Sequence, residues 1–130
     1  MDVPPEAEVI RFTPVQPETV LRRAEAEVAR TGIAGLSVYA ALPSEGESQE
    51  ETHRRLQKAA NIGGIELKRN KKYFHTVASS ILNLGYRFLK DGDEDEVPEH
   101  YTIDIGGLQM DRVVRFLEAF RGPEATWQGG

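Results

Sequence analysis

Three strand-like segments of this sequence each carry a polar side chain that could take part in chemistry. The segments are IRFT, GLSVY and HYTI, and the polar residues are Arg11, Ser37 and His100. A polar group on a buried strand lowers stability unless it has a hydrogen-bond partner or a ligand. Guanidinium suits bidentate contact with phosphate, and imidazole can act protonated or neutral near pH 7. The three residues either line one cleft or lie independently at strand edges.

Two charged runs offer other sites. KRNKK at 68–72 places four cations before Tyr73 and Phe74, and such a patch could hold phosphates and a base. The alternative interpretation is a solvated helix start followed by core residues. DGDEDE at 91–96 contains five carboxylates. It lacks the closing glutamate and flanking helices of an EF-hand, so we expect a solvated hairpin loop that could meet a basic partner.

No metal site is predicted. The chain has no cysteine, which excludes thiolate zinc sites and disulfides. His53 is expected to be exposed on a polar helix and His75 to lie near the edge of an apolar helix face. Neither histidine has a zinc-binding partner at the usual spacing. The sequence also lacks a P-loop, a dinucleotide fingerprint and the G-x-S-x-G nucleophile motif.

Composition favours one small globular domain. The chain has 130 residues, of which 39% are hydrophobic and 28% charged, and its formal net charge is −5. This charge does not favour a broad nucleic-acid surface, although the basic cluster at 68–72 leaves a local contact open. No apolar run is long enough for a membrane span, and the acidic, proline-rich start does not suit a signal peptide. We therefore expect a cytoplasmic site of action, with secretion only by a dedicated system.

The predicted elements form an α+β domain at residues 8–122, between flexible ends at 1–7 and 123–130. We expect a mixed or antiparallel split sheet of about five strands with about four helices. The predicted strands are 8–13, 36–40, 65–68, 86–90 and 101–105, and the predicted helices are 17–31, 49–60, 71–84 and 108–120. Strands 86–90 and 101–105 should pair across the acidic loop. The terminal Gly-Gly is interpreted as a frayed tail, with a ubiquitin-like conjugation signal as the alternative.

The order of Arg11, GLSVY and HYTI, followed by a C-terminal amphipathic helix, resembles a family of bacterial toxins. These are type VI secretion toxins with an ADP-ribosyltransferase-like, diphtheria-toxin-like fold. The resemblance covers about 35 residues closely and the rest in element order. It implies an NAD-binding toxin or effector that transfers ADP-ribose to a cellular target, with a cognate immunity protein or antitoxin as partner. The oligomeric state is not implied.

The resemblance also implies roles for particular residues. Arg11 would engage the phosphates, Ser37 would fix the nicotinamide ribose, and His100 would hydrogen-bond that ribose. Tyr39 or Tyr101 would stack on the nicotinamide ring.

The expected chemistry also needs a carboxylate near the positive charge that develops on the ribose. Glu99 and Asp104 are the candidates. The family's threonine falls at Leu36, so its role would pass to Ser37, or the chain would keep the fold without the chemistry. The alternative function is a non-enzymatic interaction module, such as an antitoxin, immunity protein or adaptor.

Overall fold

A computed structural model describes residues 3–90 and 97–128. Within these residues the strands are β1 (Glu8–Phe12), β2 (Gly35–Ala41), β3 (Lys72–Val77), β4 (Arg87–Lys90), β5 (His100–Asp104) and β6 (Arg121–Ala125). The helices are α1 (Pro17–Thr31), α2 (Gln49–Ile62), α3 (Ala78–Leu82) and α4 (Met110–Glu118). None of these helices is both long enough and apolar enough to cross a lipid bilayer.

The six strands form one sheet in the order β4-β5-β2-β1-β3-β6, and every neighbouring pair is antiparallel. This arrangement confirms the predicted α+β class with an antiparallel sheet. It also confirms the predicted pairing across the acidic loop, since Phe88 of β4 lies opposite Ile103 of β5. The acidic loop itself, at 91–96, is outside the described residues.

Helices cover the sheet on both sides, and the central strands β1 and β2 send alternate side chains to the two cores. On one side, called the α1/α4 face, the buried strand residues include Val9, Leu36, Val38 and Ile103, which belong to one cluster with Val20, Val113 and Phe116. On the other side, called the α2 face, they include Ile10, Phe12 and Tyr39, which belong to a second cluster with Leu56 and Ala60. All five residues of β1 are buried because both of its faces are covered.

Local sequence signals explain how the two longest helices begin and end. Pro17 occupies the start of α1, and Gly32 ends it with a positive φ of 83° that a side chain would disfavour. Ser48 and Glu51 form the predicted capping box at the start of α2. Gly32 thus ends α1 shortly before β2 begins, and the capping box sets the first residue of α2.

The predicted helix at 71–84 is wrong over its first half. Residues Lys72–Val77 form β3, and only Ala78–Leu82 form the short helix α3. The aromatic and β-branched residues Tyr73, Phe74 and Val77 favour a strand, and β3 pairs with both β1 and β6. The predicted strand at 65–68 is also absent, because Ile65 and Leu67 pack against the α2-face core from an irregular segment.

Both predicted flexible ends include residues that the structure places against the domain. Val3 and Ala7 are buried, and the Ala78 amide donates a hydrogen bond to the Ala7 carbonyl. At the other end, β6 pairs with β3, and the Trp127 amide donates to Gln57 Oε1 at 2.6 Å. The domain therefore extends beyond the predicted boundary at residue 122. The terminal Gly-Gly prediction falls outside the described residues.

Candidate functional site

The register between β2 and β5 brings Ser37 and His100 together. Tyr39 lies opposite His100 and Ser37 lies opposite Thr102, so all four side chains share the α2 face of the sheet. Ser37 Oγ lies 2.7 Å from His100 Nε2, which is hydrogen-bond distance. Two of the three residues singled out by sequence therefore contact each other directly.

The Ser37–His100 pair lies at the edge of the region that α2 covers. Tyr39 is buried in the same core as α2, whereas Ser37 is exposed and His100 is half-buried. The Tyr39 ring lies 5.2 Å from the His100 ring and 6.3 Å from the Phe12 ring, and burial raises the pKa of its phenol. Tyr39 thus contacts protein rings in this structure and helps to position the imidazole.

Arg11 lies on the opposite face of the sheet from this pair. Its guanidinium lies 5.6 Å from the ring centre of Phe116 and 5.9 Å from that of Phe120, and Nη2 donates to the Pro14 carbonyl at 2.7 Å. Burial, together with the nearby positive charge of Arg23, lowers the pKa of Arg11 to about 10. Arg11 therefore remains protonated at neutral pH without sharing a face with Ser37.

Tyr101 is also separated from Ser37 and His100. It lies opposite Val38, so its side chain is on the α1/α4 face. Its ring makes an edge contact with Phe88 at 6.0 Å, and Lys90 Nζ lies 4.5 Å from the ring centre. The structure thus brings together Ser37, Tyr39 and His100, but it does not place Tyr101 beside them.

A cleft of about 590 Å³ lies where the end of β1 and the start of β2 meet α1. Arg11 lines it from one sheet face, whereas Ser37 and Thr102 line it from the other. Arg11 and Ser37 thus both line this cleft, although from opposite faces of the sheet. His100 lies behind Ser37 and is not one of the residues that line the cleft.

Positive charge dominates the lining of this cleft. The cations are Arg11, Arg23, Arg30 and Lys71, and among the described lining residues Glu27 is the single carboxylate. Glu27 Oε2 accepts a hydrogen bond from Arg30 Nη2 at 2.8 Å. One carboxylate therefore balances one of four cations, which favours an anionic ligand.

The basic cluster at 68–72 contributes to the cleft through Lys71. Its aromatic neighbours do not form a shared stacking platform, because Tyr73 and Phe74 are adjacent in β3 and point to opposite faces. Tyr73 is buried in the α2-face core. For the two interpretations of this cluster, this means that Tyr73 and Phe74 do not form a shared platform for a base, and that the expected helix start is strand β3 instead.

The two predicted carboxylates lie outside the residues that line the cleft. Asp104 Oδ2 accepts a hydrogen bond from Arg87 Nη2 at 2.6 Å, and Asp104 Oδ1 accepts one from the Gly106 amide at 2.9 Å. Glu99 directly precedes β5, and its backbone carbonyl accepts a hydrogen bond from the Ala40 amide at 2.9 Å. Asp104 is thus already engaged in two hydrogen bonds at the far end of β5.

Sequence reasoning missed a buried polar cluster beneath α2. His53 was predicted to be exposed, but it is only 3% exposed, and its Nε2 lies 2.7 Å from Glu8 Oε1. His53 Nδ1 lies 3.2 Å from the Tyr73 hydroxyl, and the His75 ring lies 4.8 Å from the His53 ring. Within residues 3–90 and 97–128, no group of histidine, aspartate and glutamate side chains is arranged to hold a metal ion.

Electrostatics favour a neutral imidazole in this cluster. Burial lowers the pKa of His53, and the hydrogen bond with Glu8 opposes that effect only in part. A neutral His53 donates its Nε2 hydrogen to Glu8 and accepts the Tyr73 hydroxyl hydrogen at Nδ1. Burial, with the nearby negative charge of Glu124, raises the pKa of Tyr73 and keeps its phenol protonated.

The sequence did contain a signal for this cluster. The buried residues of α2 recur at helical spacing, and the polar Thr52, His53 and Gln57 lie on the same side of the helix as its apolar residues. A polar residue in such a register is predicted to be buried with a partner rather than exposed. The partner, Glu8, lies on a strand 45 residues away, so helix periodicity alone could not identify it.

No family model, curated protein or solved structure matches this chain. The function must therefore be argued from the cleft and the Ser37–His100 pair.

Proposed function

We propose that this protein binds a phosphate-bearing nucleotide in the cleft between β1, β2 and α1, and that NAD is the first ligand to test. The resemblance in the sequence motifs suggests NAD and a role as a bacterial toxin or effector. The observation that carries the proposal is the cationic lining of the cleft, to which Arg11, Arg23 and Lys71 contribute in addition to the Arg30–Glu27 pair.

The charge arrangement supports an anionic ligand. Arg11 is 7% exposed and close enough to Arg23 for the second charge to lower its pKa. Two neighbouring cations repel each other, and a phosphate between them would relieve that repulsion while accepting charge-assisted hydrogen bonds. Guanidinium groups are well suited to such contacts because they can bind phosphate in a bidentate manner.

The size of the cleft and its neutral polar groups support a nucleotide rather than inorganic phosphate. Small-molecule sites usually occupy roughly 300–1,000 Å³, and this cleft falls within that range. Ser37 and Thr102 supply hydroxyl groups at one side, where they could hydrogen-bond a sugar. Apolar groups such as Val20 and Leu36 line the same cleft and could contact a base.

Transfer of ADP-ribose is left outside the proposal. That reaction calls for a carboxylate near the developing positive charge on the ribose. Asp104 is engaged by Arg87 and by the Gly106 amide, and Glu27 is paired with Arg30. The proposal is therefore one of binding, and an immunity protein or antitoxin as partner stays a prediction.

Isothermal titration and thermal-shift measurements with NAD, ADP and inorganic phosphate test the proposal. We expect NAD and ADP to bind and to raise the melting temperature by mass action. Arg23→Ala and Lys71→Ala should each weaken binding by about tenfold or more, because a hydrogen bond to a charged group contributes roughly 1.5–3 kcal/mol. Binding should also weaken as salt concentration rises.

Arg22→Ala is the matched control. Arg22 is the exposed neighbour of Arg23 on α1 and does not line the cleft. Its removal changes the net charge by the same amount and should leave affinity nearly unchanged. The proposal fails if wild type shows no binding of NAD or ADP, or if Arg22→Ala weakens binding as much as Arg23→Ala does.

A further inference from the structure

We propose that Ser37 and His100 form a nucleophile–base pair that accepts an acyl group from an ester or thioester whose leaving group carries phosphate. This inference rests on the proposed function for its leaving group, because the cationic cleft would bind the phosphate. The acyl-accepting chemistry itself rests on the 2.7 Å contact between Ser37 Oγ and His100 Nε2.

The geometry meets the requirements of a serine nucleophile. A serine hydroxyl is weakly nucleophilic until a base lies within about 2.6–3.2 Å to take its proton, and that base must itself be oriented. His100 is oriented because its backbone belongs to β5 and its ring lies 5.2 Å from the ring of Tyr39. Ser37 is exposed and lines the cleft, so a bound ester can reach Oγ while the imidazole stays behind it.

Gly35 lets the Thr102 side chain pack closely beside Ser37. A Cβ at position 35 would lie 2.5 Å from Thr102 Cγ2, so a larger residue there would displace Thr102. Gly35 and Thr102 both line the cleft next to Ser37. Thr102 lies directly opposite Ser37 on β5 and brings a second hydroxyl to this site.

Acyl transfer to Ser37 takes place by addition and elimination at the substrate carbonyl. Ser37 Oγ adds to the carbonyl carbon of the substrate as its proton moves to His100 Nε2. The bond from that carbon to the oxygen or sulfur of the leaving group then breaks, and the leaving group takes the proton from His100. Ser37 is left as an acyl ester. Water then adds to its carbonyl carbon as a proton moves to His100, the bond from that carbon to Ser37 Oγ breaks, and Oγ takes the proton from His100 as the free acid leaves.

Labelling with a fluorophosphonate probe tests the nucleophile. In this reaction Ser37 Oγ bonds to phosphorus, fluoride leaves, and His100 receives the hydroxyl proton. Peptide mapping by mass spectrometry should find the label on Ser37, and Ser37→Ala should lose it. Ser44→Ala, which alters an exposed loop serine outside the cleft, is the control and should be labelled as wild type is.

His100→Gln tests the base. We expect its labelling rate to fall by about 100-fold or more, since general-base catalysis contributes roughly 10²–10⁴-fold. Circular dichroism and a melting curve show whether this variant is folded. A second measurement does not depend on the variant: the labelling rate of wild type should rise as pH increases through the titration of an imidazole.

Competition with ADP tests the position of the leaving group. ADP should slow labelling of wild type and of Arg22→Ala to the same extent, and at that ADP concentration it should slow labelling of Arg23→Ala less, because Arg23→Ala binds ADP about tenfold more weakly. The acyl-accepting inference is overturned if Ser37 is not labelled, if folded His100→Gln is labelled at the wild-type rate, or if the wild-type rate is flat with pH. Labelling that ADP does not slow overturns the phosphate-bearing leaving group. Nucleotide titration without the probe reports separately on the proposed function, so the two failures can be distinguished.

Discussion

Replacing His53 with glutamine should make the stability of the protein less sensitive to acid. His53 is 3% exposed, and burial lowers its pKa below the ordinary value of 6.5. The folded protein therefore binds a proton at this site less readily than the unfolded chain does. Stability from this site is present above pH 6.5 and is lost as the pH falls towards the folded pKa.

The size of the effect follows from proton linkage. In the pH interval below 6.5 and above the folded pKa, unfolding takes up protons at His53, to a limit of one. The free energy of unfolding should then fall by up to about 1.4 kcal/mol for each pH unit. Glutamine cannot take up that proton, yet its amide can donate to Glu8 Oε1 and accept from the Tyr73 hydroxyl. His53→Gln should therefore fold, with this contribution removed.

Urea unfolding of wild type and His53→Gln at several pH values between 7 and 5 measures the difference. His75 and Glu124 lie near His53 and are present in both proteins, so their contributions to the pH dependence largely cancel on subtraction. Arg54→Gln, at an exposed position next to His53 on α2, should retain the wild-type pH dependence. Identical pH dependence in wild type and His53→Gln would refute the inference that a buried, neutral imidazole is present.

Four further changes have defined expected results. Ser48→Ala removes the α2 capping box and should lower the free energy of unfolding by about 1 kcal/mol in urea unfolding. Phe116→Ala empties a fully buried site and should lower it by about 3–5 kcal/mol. Gly35→Ala should lower the melting temperature because the new Cβ would clash with Thr102, and adding Thr102→Ser should recover part of the loss. Glu47→Gln should destabilise the protein at neutral pH, and the difference from wild type should vanish as pH falls from 4.5 to about 2, because hydrogen bonds from Arg55 and other donors lower the pKa of Glu47 to about 2.

Helix boundaries were predictable where capping residues and periodicity agreed. Pro17 and Gly32 delimit α1, and Ser48 with Glu51 begins α2. Strand β3 was predicted as a helix because its sequence fits both a helical and a strand pattern. Apolar residues at 74, 77, 81 and 84 have helical spacing, whereas the residue types of Tyr73, Phe74 and Val77 favour a strand. Pairing with β1 and β6 decided between them, and single-sequence periodicity contains no information about which strand edges are available.

Strand β6 was missed for a different reason. Its sequence, RGPEA, contains glycine and proline, which are uncommon within strands, so residues from 123 onward were predicted to be a C-terminal tail. Proline is tolerated at a sheet edge, where its missing N–H need not bond to a neighbouring strand. All five residues of β6 are exposed, so hydrophobic patterning gave no sign of it.

The sequence singled out Ser37 and His100, but it did not predict the geometry that brings them together. Ser37 and His100 meet because β2 and β5 are adjacent and in a particular register, and sequence order suggests neither fact. Side chains alternate between the two faces of a sheet along a strand. The sequence alone therefore indicated that Tyr101, next to His100, points to the opposite face. Arg11 and Ser37 are on different strands, so their separation became visible only with the register between β1 and β2.

The extent of α2 explains why two histidine pairs on one sheet face differ in chemistry. His53 of α2 contacts Glu8 of β1 between the helix and the sheet, where burial keeps the imidazole neutral and excludes ligands. Ser37 lies on the same face beyond Tyr39, where it is exposed and borders the cleft. A hydrogen-bonded histidine therefore stabilises the fold in the Glu8–His53 pair. In the Ser37–His100 pair, the histidine lies beside an exposed hydroxyl that a substrate could reach. Disrupting the Glu8–His53 pair should therefore reduce stability without changing the rate at which Ser37 is labelled, whereas His100→Gln should reduce labelling far more than stability.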